Sequence, residues 1–116
     1  MPLTRDFKET VQERVRRDPK FRVALLREGM EALLSGDVEA GKAILRDYIN
    51  ATVGFDKLGS ATGTPAKSLM RMFGPKGNPQ ARNLFPVLGY LQRDAGVIVD
   101  VRARPRAAGA RHLPTA

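Results

Sequence analysis

Apolar residues recur along this chain at helical spacing, and the pattern breaks at dipeptides in which a capping residue precedes proline. Phe21, Leu25, Ala32 and Leu33 fall on one helical stripe, and Val38, Ile44, Leu45, Tyr48 and Ile49 gather on another. Asp18-Pro19, Thr64-Pro65 and Asn78-Pro79 each read as a helix start. The first side chain accepts from an orphan amide, and proline fills the first helical position, where a missing N–H costs nothing. Asp37, after Ser35-Gly36, supplies a fourth cap. Working outward from these starts, the pattern predicts helices at 5–17, 19–34, 38–52, 55–62, 65–73 and 79–93, an all-α fold of five or six helices. One short run departs from it. Val97, Ile98, Val99 and Val101 follow Gly96 as a β-branched stretch, which predicts a terminal strand whose partner would come from a symmetric copy in a dimer. From Arg102 onward the chain holds Arg, Ala, Pro and Gly with almost nothing to bury, and a disordered basic tail is expected.

Length and composition narrow the picture. With 116 residues and 42% apolar content the chain suits one domain with tails. We divide it into an N-terminal helical segment (1–36), a central unit (37–94), the strand (95–101) and the tail (102–116). Aromatics are few at 6% and Trp is absent, so a sheet that stacks nucleotides on aromatic rings has little to be built from. The absence of Cys excludes a disulfide framework and thiolate chemistry. No apolar stretch is long enough for a bilayer, and Met1-Pro2-Leu3-Thr4-Arg5-Asp6 lacks the apolar core of a signal peptide, so a cytoplasmic location is expected. The formal net charge of +8 is unevenly placed. Residues 1–57 hold 11 Lys and Arg against 10 Asp and Glu, whereas residues 58–116 hold 9 against 2. A localised surplus of this kind suits phosphate neutralisation, since each cation set at a phosphate releases condensed counterions.

Residues 55–73 have the anatomy of two short helices around a tight turn. Leu58 faces the core, Gly59 permits close approach of the second helix, Gly63 takes the positive φ of the turn, and Leu69 and Met72 hold the second helix down. Such a pair lets the first helix cross a DNA backbone while the second enters the major groove.

Here the sequence resembles the Cro/cI-type (Xre-like) helix-turn-helix family, with a lambda-repressor-like core, and more closely its HigA-like members that serve as antidotes in addiction modules. The resemblance runs from about Phe55 to Leu91. It rests on Leu58-Gly59, Gly63, Lys67-Ser68-Leu69 and Arg71, then on the loop Gly74-Pro75-Lys76-Gly77-Asn78-Pro79 and the helix with Leu84, Val87, Leu88 and Leu91. Leu3-Thr4-Arg5-Asp6-Phe7-Lys8-Glu9-Thr10 and Arg46-Asp47-Tyr48-Ile49-Asn50-Ala51-Thr52 also look like that group. Gly59 departs from the usual Ala. The resemblance implies a repressor of its own operator that also holds a cognate toxin protein inactive; a homodimer is expected because a monomer on one half-site gains too few contacts. Position by position, it places Ala66, Lys67, Met70 and Arg71 on the exposed side of the recognition helix. Lys67 and Arg71 then suit guanine O6/N7 or phosphate, and Ala66 and Met70 a thymine methyl. Ser68, Lys76, Asn78 and Arg82 suit backbone contacts. Lys67 and Arg71 as plain solvated charges, Met70 as packing, and Lys76 and Asn78 as turn formers are the structural alternatives.

Other chemistry finds little material. His112 is the only histidine and has no Cys or His companion for a metal, and no cofactor motif is present. Gly74-Pro75-Lys76-Gly77 lacks the preceding strand and the Gly-Lys-Ser/Thr ending of a phosphate loop. The expectation is a DNA-binding protein rather than an enzyme. A stand-alone regulator without a toxin, and a protein-interaction module that keeps the fold as scaffold, are the competing readings. Arg102, Arg104, Arg106 and Arg111 are expected either to form an arm on phosphates or to order on the toxin.

Overall fold

The computed structural model describes residues 3–107, and the side chains from Thr10 onward. The chain is all-helical: α1 (Leu3–Arg17), α2 (Pro19–Leu34), α3 (Val38–Ala51), α4 (Gly54–Thr62), α5 (Ala66–Met72) and α6 (Ala81–Ala95). No described helix is long and apolar enough to cross a membrane.

Local chemistry explains most boundaries. Asp18 caps α2 by accepting from the amides of Lys20 and Phe21 at 3.1 and 3.3 Å, with Pro19 at the first helical position. Asp37 caps α3 through the Ala40 amide at 3.2 Å. Gly63 and Gly96 end α4 and α6 in the left-handed region, where a side chain would be strained. The other two proline starts are corrected. Pro65 is itself the cap of α5, its carbonyl accepting from Leu69 at 3.0 Å, and no side chain caps the helix. Asn78 and Pro79 stay in the loop and α6 begins at Ala81 behind Gln80, because Gly77 is tied back to α3. The helix then runs through Pro86, which cannot donate to the Arg82 carbonyl.

The expected strand at 97–101 is absent; the described residues contain no strand. A lone strand has no ladder to join, and in one copy the hydrogen bonds of the segment run only to Gln92, with Val97 packed on the core. Residues 102–107 are exposed and without regular structure. The rest of the tail, with Arg111 and His112, lies outside the described residues.

One core joins the elements. Leu26, Leu45, Tyr48, Ile49, Phe55, Leu58, Leu69, Phe73, Val87, Leu88 and Leu91 form a single buried cluster. The most extensive contact is α2 on α3. Its centre is Leu26 and Gly29, whereas Phe21, Leu25, Ala32 and Leu33 are only partly buried. The glycines account for this shift: a Cβ on Gly29 would meet Leu45 at 2.9 Å, and one on Gly41 would meet Leu33 at 2.6 Å. The stripe expected from sequence counted large residues, but the helices approach where side chains are missing.

Candidate nucleic-acid interface

The turn between α4 and α5 is built on two glycines. Gly63 takes φ +77° and donates its amide to the Gly59 carbonyl at 2.9 Å. Gly59 is buried, and a Cβ there would lie 2.8 Å from the Thr64 carbonyl and 3.1 Å from the Ala66 nitrogen. Two backbones are therefore in contact where a helix is normally shielded by side chains. Leu58, Leu69 and Phe73 are fully buried beneath the turn, with the Phe73 ring 6.2 Å from that of Phe55.

With Leu69 inward, Lys67, Met70 and Arg71 share the outward face at helical spacing, and Met70 is 52% exposed. Ala66 was expected on that face but is partly buried and packs on the core cluster. Ser68 is partly buried, while Lys76, Asn78 and Arg82 are exposed. Ser68, Arg71 and Asn78 come together with Thr64, Gln80 and Asn83 around a shallow groove of ≈ 260 Å³ beside α5. Lys76 and Arg82 do not line it. Gln80 and Asn83 went unnoticed in the sequence, and Thr64 was read only as a helix cap, because polar residues at helix starts carry no periodic signal.

The other end of α5 is fixed by residues that belong to α3. Lys42 is the one buried charge among the described residues. Its ammonium donates to the carbonyls of Gly74 and Gly77 at 2.9 and 2.8 Å and meets Glu39 at 3.2 Å. Arg46 donates to the Phe73 carbonyl at 2.7 Å. Two cations thus satisfy carbonyls just past the C-terminus of α5, where the helix dipole favours positive charge. They also hold the loop that bears Lys76 and Asn78. Gly77 completes the clamp: a Cβ there would collide with the carbonyls of Arg71 and Met72.

No Asp or Glu occurs between Asp56 and Asp94, so the surface of α5, the loop and the start of α6 is purely basic. Lys67, Arg71, Lys76 and Arg82 make no ion pair among the described residues. A separate pocket of ≈ 330 Å³ is lined by Arg16, Arg22, Lys57 and Asp94 at the α3–α4 turn. Arg22 there is engaged with the α1 carbonyls of Val15 and Arg16 at 2.9 and 3.1 Å. Tyr48 is fully buried and its hydroxyl has no partner among the described residues. Burial pushes its phenol up, the Asp94 charge adds to the shift, and Arg22 opposes it. It stays neutral and serves as packing rather than as an acid or base.

No family model matches the chain, and no curated protein or solved structure matches it. What the protein does must therefore be read from its own side chains.

Proposed function

We propose that this chain is a sequence-specific, double-stranded-DNA-binding repressor that presents α5 to the major groove. The observation that carries the reading is the outward triplet Lys67, Met70 and Arg71 on a short helix clamped at both ends by backbone contacts. Lys67 and Arg71 reach guanine O6/N7, and Met70 a thymine methyl. Ser68, Lys76, Asn78 and Arg82 flank them as phosphate-facing groups that set register. One α5 reads too little sequence alone, so two chains act together on a palindrome, with half-sites about 34–36 Å apart. The resemblance of the N-terminal and α3 segments to antidote proteins extends the proposal to a cognate toxin, tested by co-purification with the product of the adjacent reading frame.

The direct test uses a duplex selected from a random pool. Lys67→Ala and Arg71→Ala should each weaken its binding by about 1–3 kcal/mol while the helical circular dichroism is unchanged. Retained affinity in both variants removes these residues from the interface.

A further inference from the structure

An apolar groove lies on the α2–α3 and α6 side of the molecule and reaches Asn78 and Pro79 of the loop after α5. Leu34 and Val38 at the α2–α3 corner, Phe85 and Leu88 on α6, and Val99 and Val101 of the C-terminal segment line ≈ 480 Å³ of open space. Several of these side chains are bare: Leu34 is 70%, Phe85 63% and Val101 74% exposed. With Val38 they leave on the order of 400 Å² of apolar surface in one region, within the range of the largest patch on a monomer. That is about half of the roughly 800 Å² that each partner of a stable dimer contributes.

The C-terminal segment says what covers it. The amide of Val97 donates to the Gln92 carbonyl at 3.0 Å, and that of Val99 to the Gln92 side-chain oxygen at 2.8 Å. In extended backbone, alternate residues turn their N–H and C=O groups to opposite sides. Burial alternates in that way along the run, Val97 and Val99 being partly buried and Ile98 and Asp100 exposed, which sets the groups of Ile98 and Asp100 on the side away from α6; no hydrogen bond in the described residues uses them. Apart from Asp100 the run is β-branched and apolar; the amides of Val97 and Val99 are satisfied through Gln92, and the side that carries the amides of Ile98 and Asp100 is vacant among the described residues. An identical vacant side is its natural complement, because antiparallel pairing of Ile98 with Asp100 of a second copy uses all four outward groups on each chain.

We propose that the occupant of this face is a second copy of the chain: the 97–101 segments pair antiparallel across a two-fold axis, bringing the Phe85, Leu34 and Val101 patches of the two copies together. The proposal deepens the dimer that the DNA reading calls for. Its experiment contains no DNA, so the two readings fail separately.

Sedimentation equilibrium of the full chain should show a dimer at micromolar concentration. Phe85→Asp, which puts a charge in the patch, and Ile98→Pro, which deletes one outward N–H that the monomer does not use, should each weaken dimerisation at least tenfold. The helical circular dichroism should be preserved. The chain has no cysteine, so Val99→Cys introduces a single thiol. In the register above it faces its own copy as a non-hydrogen-bonded pair, at a spacing that a disulfide accepts. Mild oxidation should give a covalent dimer, whereas Ile98→Cys, offset by two residues from its copy, should cross-link at least tenfold more slowly. A parent that stays monomeric, a dimer constant unmoved in either variant, or equal cross-linking at 98 and 99 overturns the proposal.

Discussion

Two helix pairs in this molecule meet over glycine, and they differ in what presses on it. Between α2 and α3, side chains come nearest: Leu45 and Ile44 face Gly29, and Leu33 faces Gly41, where the Gly29 carbonyl stands farther off, 3.2 Å from a Cβ. Between α4 and α5, and again at the loop after α5, Gly59 and Gly77 receive backbone carbonyls. A leucine can change rotamer when a neighbour grows, but a carbonyl moves only if a helix moves. The first pair is ordinary core packing with room to adapt. The second sets the angle and depth at which α5 stands out from the body, and the fold gives it no slack.

The largest effect that separates the two regions is expected at Gly77. Gly77→Ala drives a methyl group into the carbonyls of Arg71 and Met72 and should cost at least about 3 kcal/mol in chemical denaturation. A loss under about 1 kcal/mol would mean that the loop is free to move and that the clamp is not one. Next is Lys42→Ala, which leaves the carbonyls of Gly74 and Gly77 without their donor. A loss of about 2–4 kcal/mol is expected, with raised hydrogen exchange confined to the loop after α5. Exchange spread evenly over all six helices would assign Lys42 to general stability instead.

Gly59→Ala sharpens the contrast further. Alanine improves helix propensity by about 1 kcal/mol, yet its methyl would stand 2.8 Å from the Thr64 carbonyl. We expect a net loss of about 1–2 kcal/mol, whereas Gly29→Ala, opposed by the side chains of Leu45 and Ile44 and by no backbone, should fall within about 1 kcal/mol of the parent. Equal changes at both sites would erase the distinction drawn between them.

The smallest effect lies at the α1–α2 corner. The Phe21 amide is the main hold on the Asp18 carboxyl; desolvation opposes it, and the Lys20 amide and the Arg14 guanidinium add smaller contributions that leave the group below its ordinary value of 3.8. A depressed folded-state value contributes stability that is complete above the unfolded pKa and is lost as pH falls through the folded one. Acidification below about pH 4 should therefore loosen this corner, and Asp18→Asn should flatten the acid limb of the melting curve. An unchanged acid limb in that variant would show that the cap carries no pH-dependent stability.

Much of this was legible in the sequence wherever a residue acts through its own local chemistry. Asp18-Pro19, Asp37, Gly63 and Gly96 mark element ends because capping and positive φ are decided within a few residues. Contacts made over long separations were not. Lys42 reaches residues 74 and 77, and nothing near it in the sequence distinguishes it from a solvated lysine. Arg46 stands in a segment noticed only for its family resemblance, yet it holds the end of α5, whereas Tyr48, read on the apolar stripe of α3, fills the core as that stripe predicts. Asn78-Pro79 misled because the hold of Lys42 on Gly77 takes precedence over the local cap, and Thr64-Pro65 misled by one residue, Pro65 rather than Thr64 taking the cap position. The β-branched run 97–101 calls for a strand partner that one chain does not contain.

The central claim is that α5 reads base sequence, and its most direct measurement is a salt titration of binding to a selected duplex and to a scrambled duplex of equal length. For the parent we predict a preference of at least about 10³-fold for the selected duplex, with both affinities falling linearly in log salt. The double variant Lys67→Ala/Arg71→Ala should lose most of that preference, show a shallower salt slope on both duplexes, and melt at the parent's temperature. Equal binding of the two duplexes by the parent, or a preference that survives in the double variant, would contradict the claim.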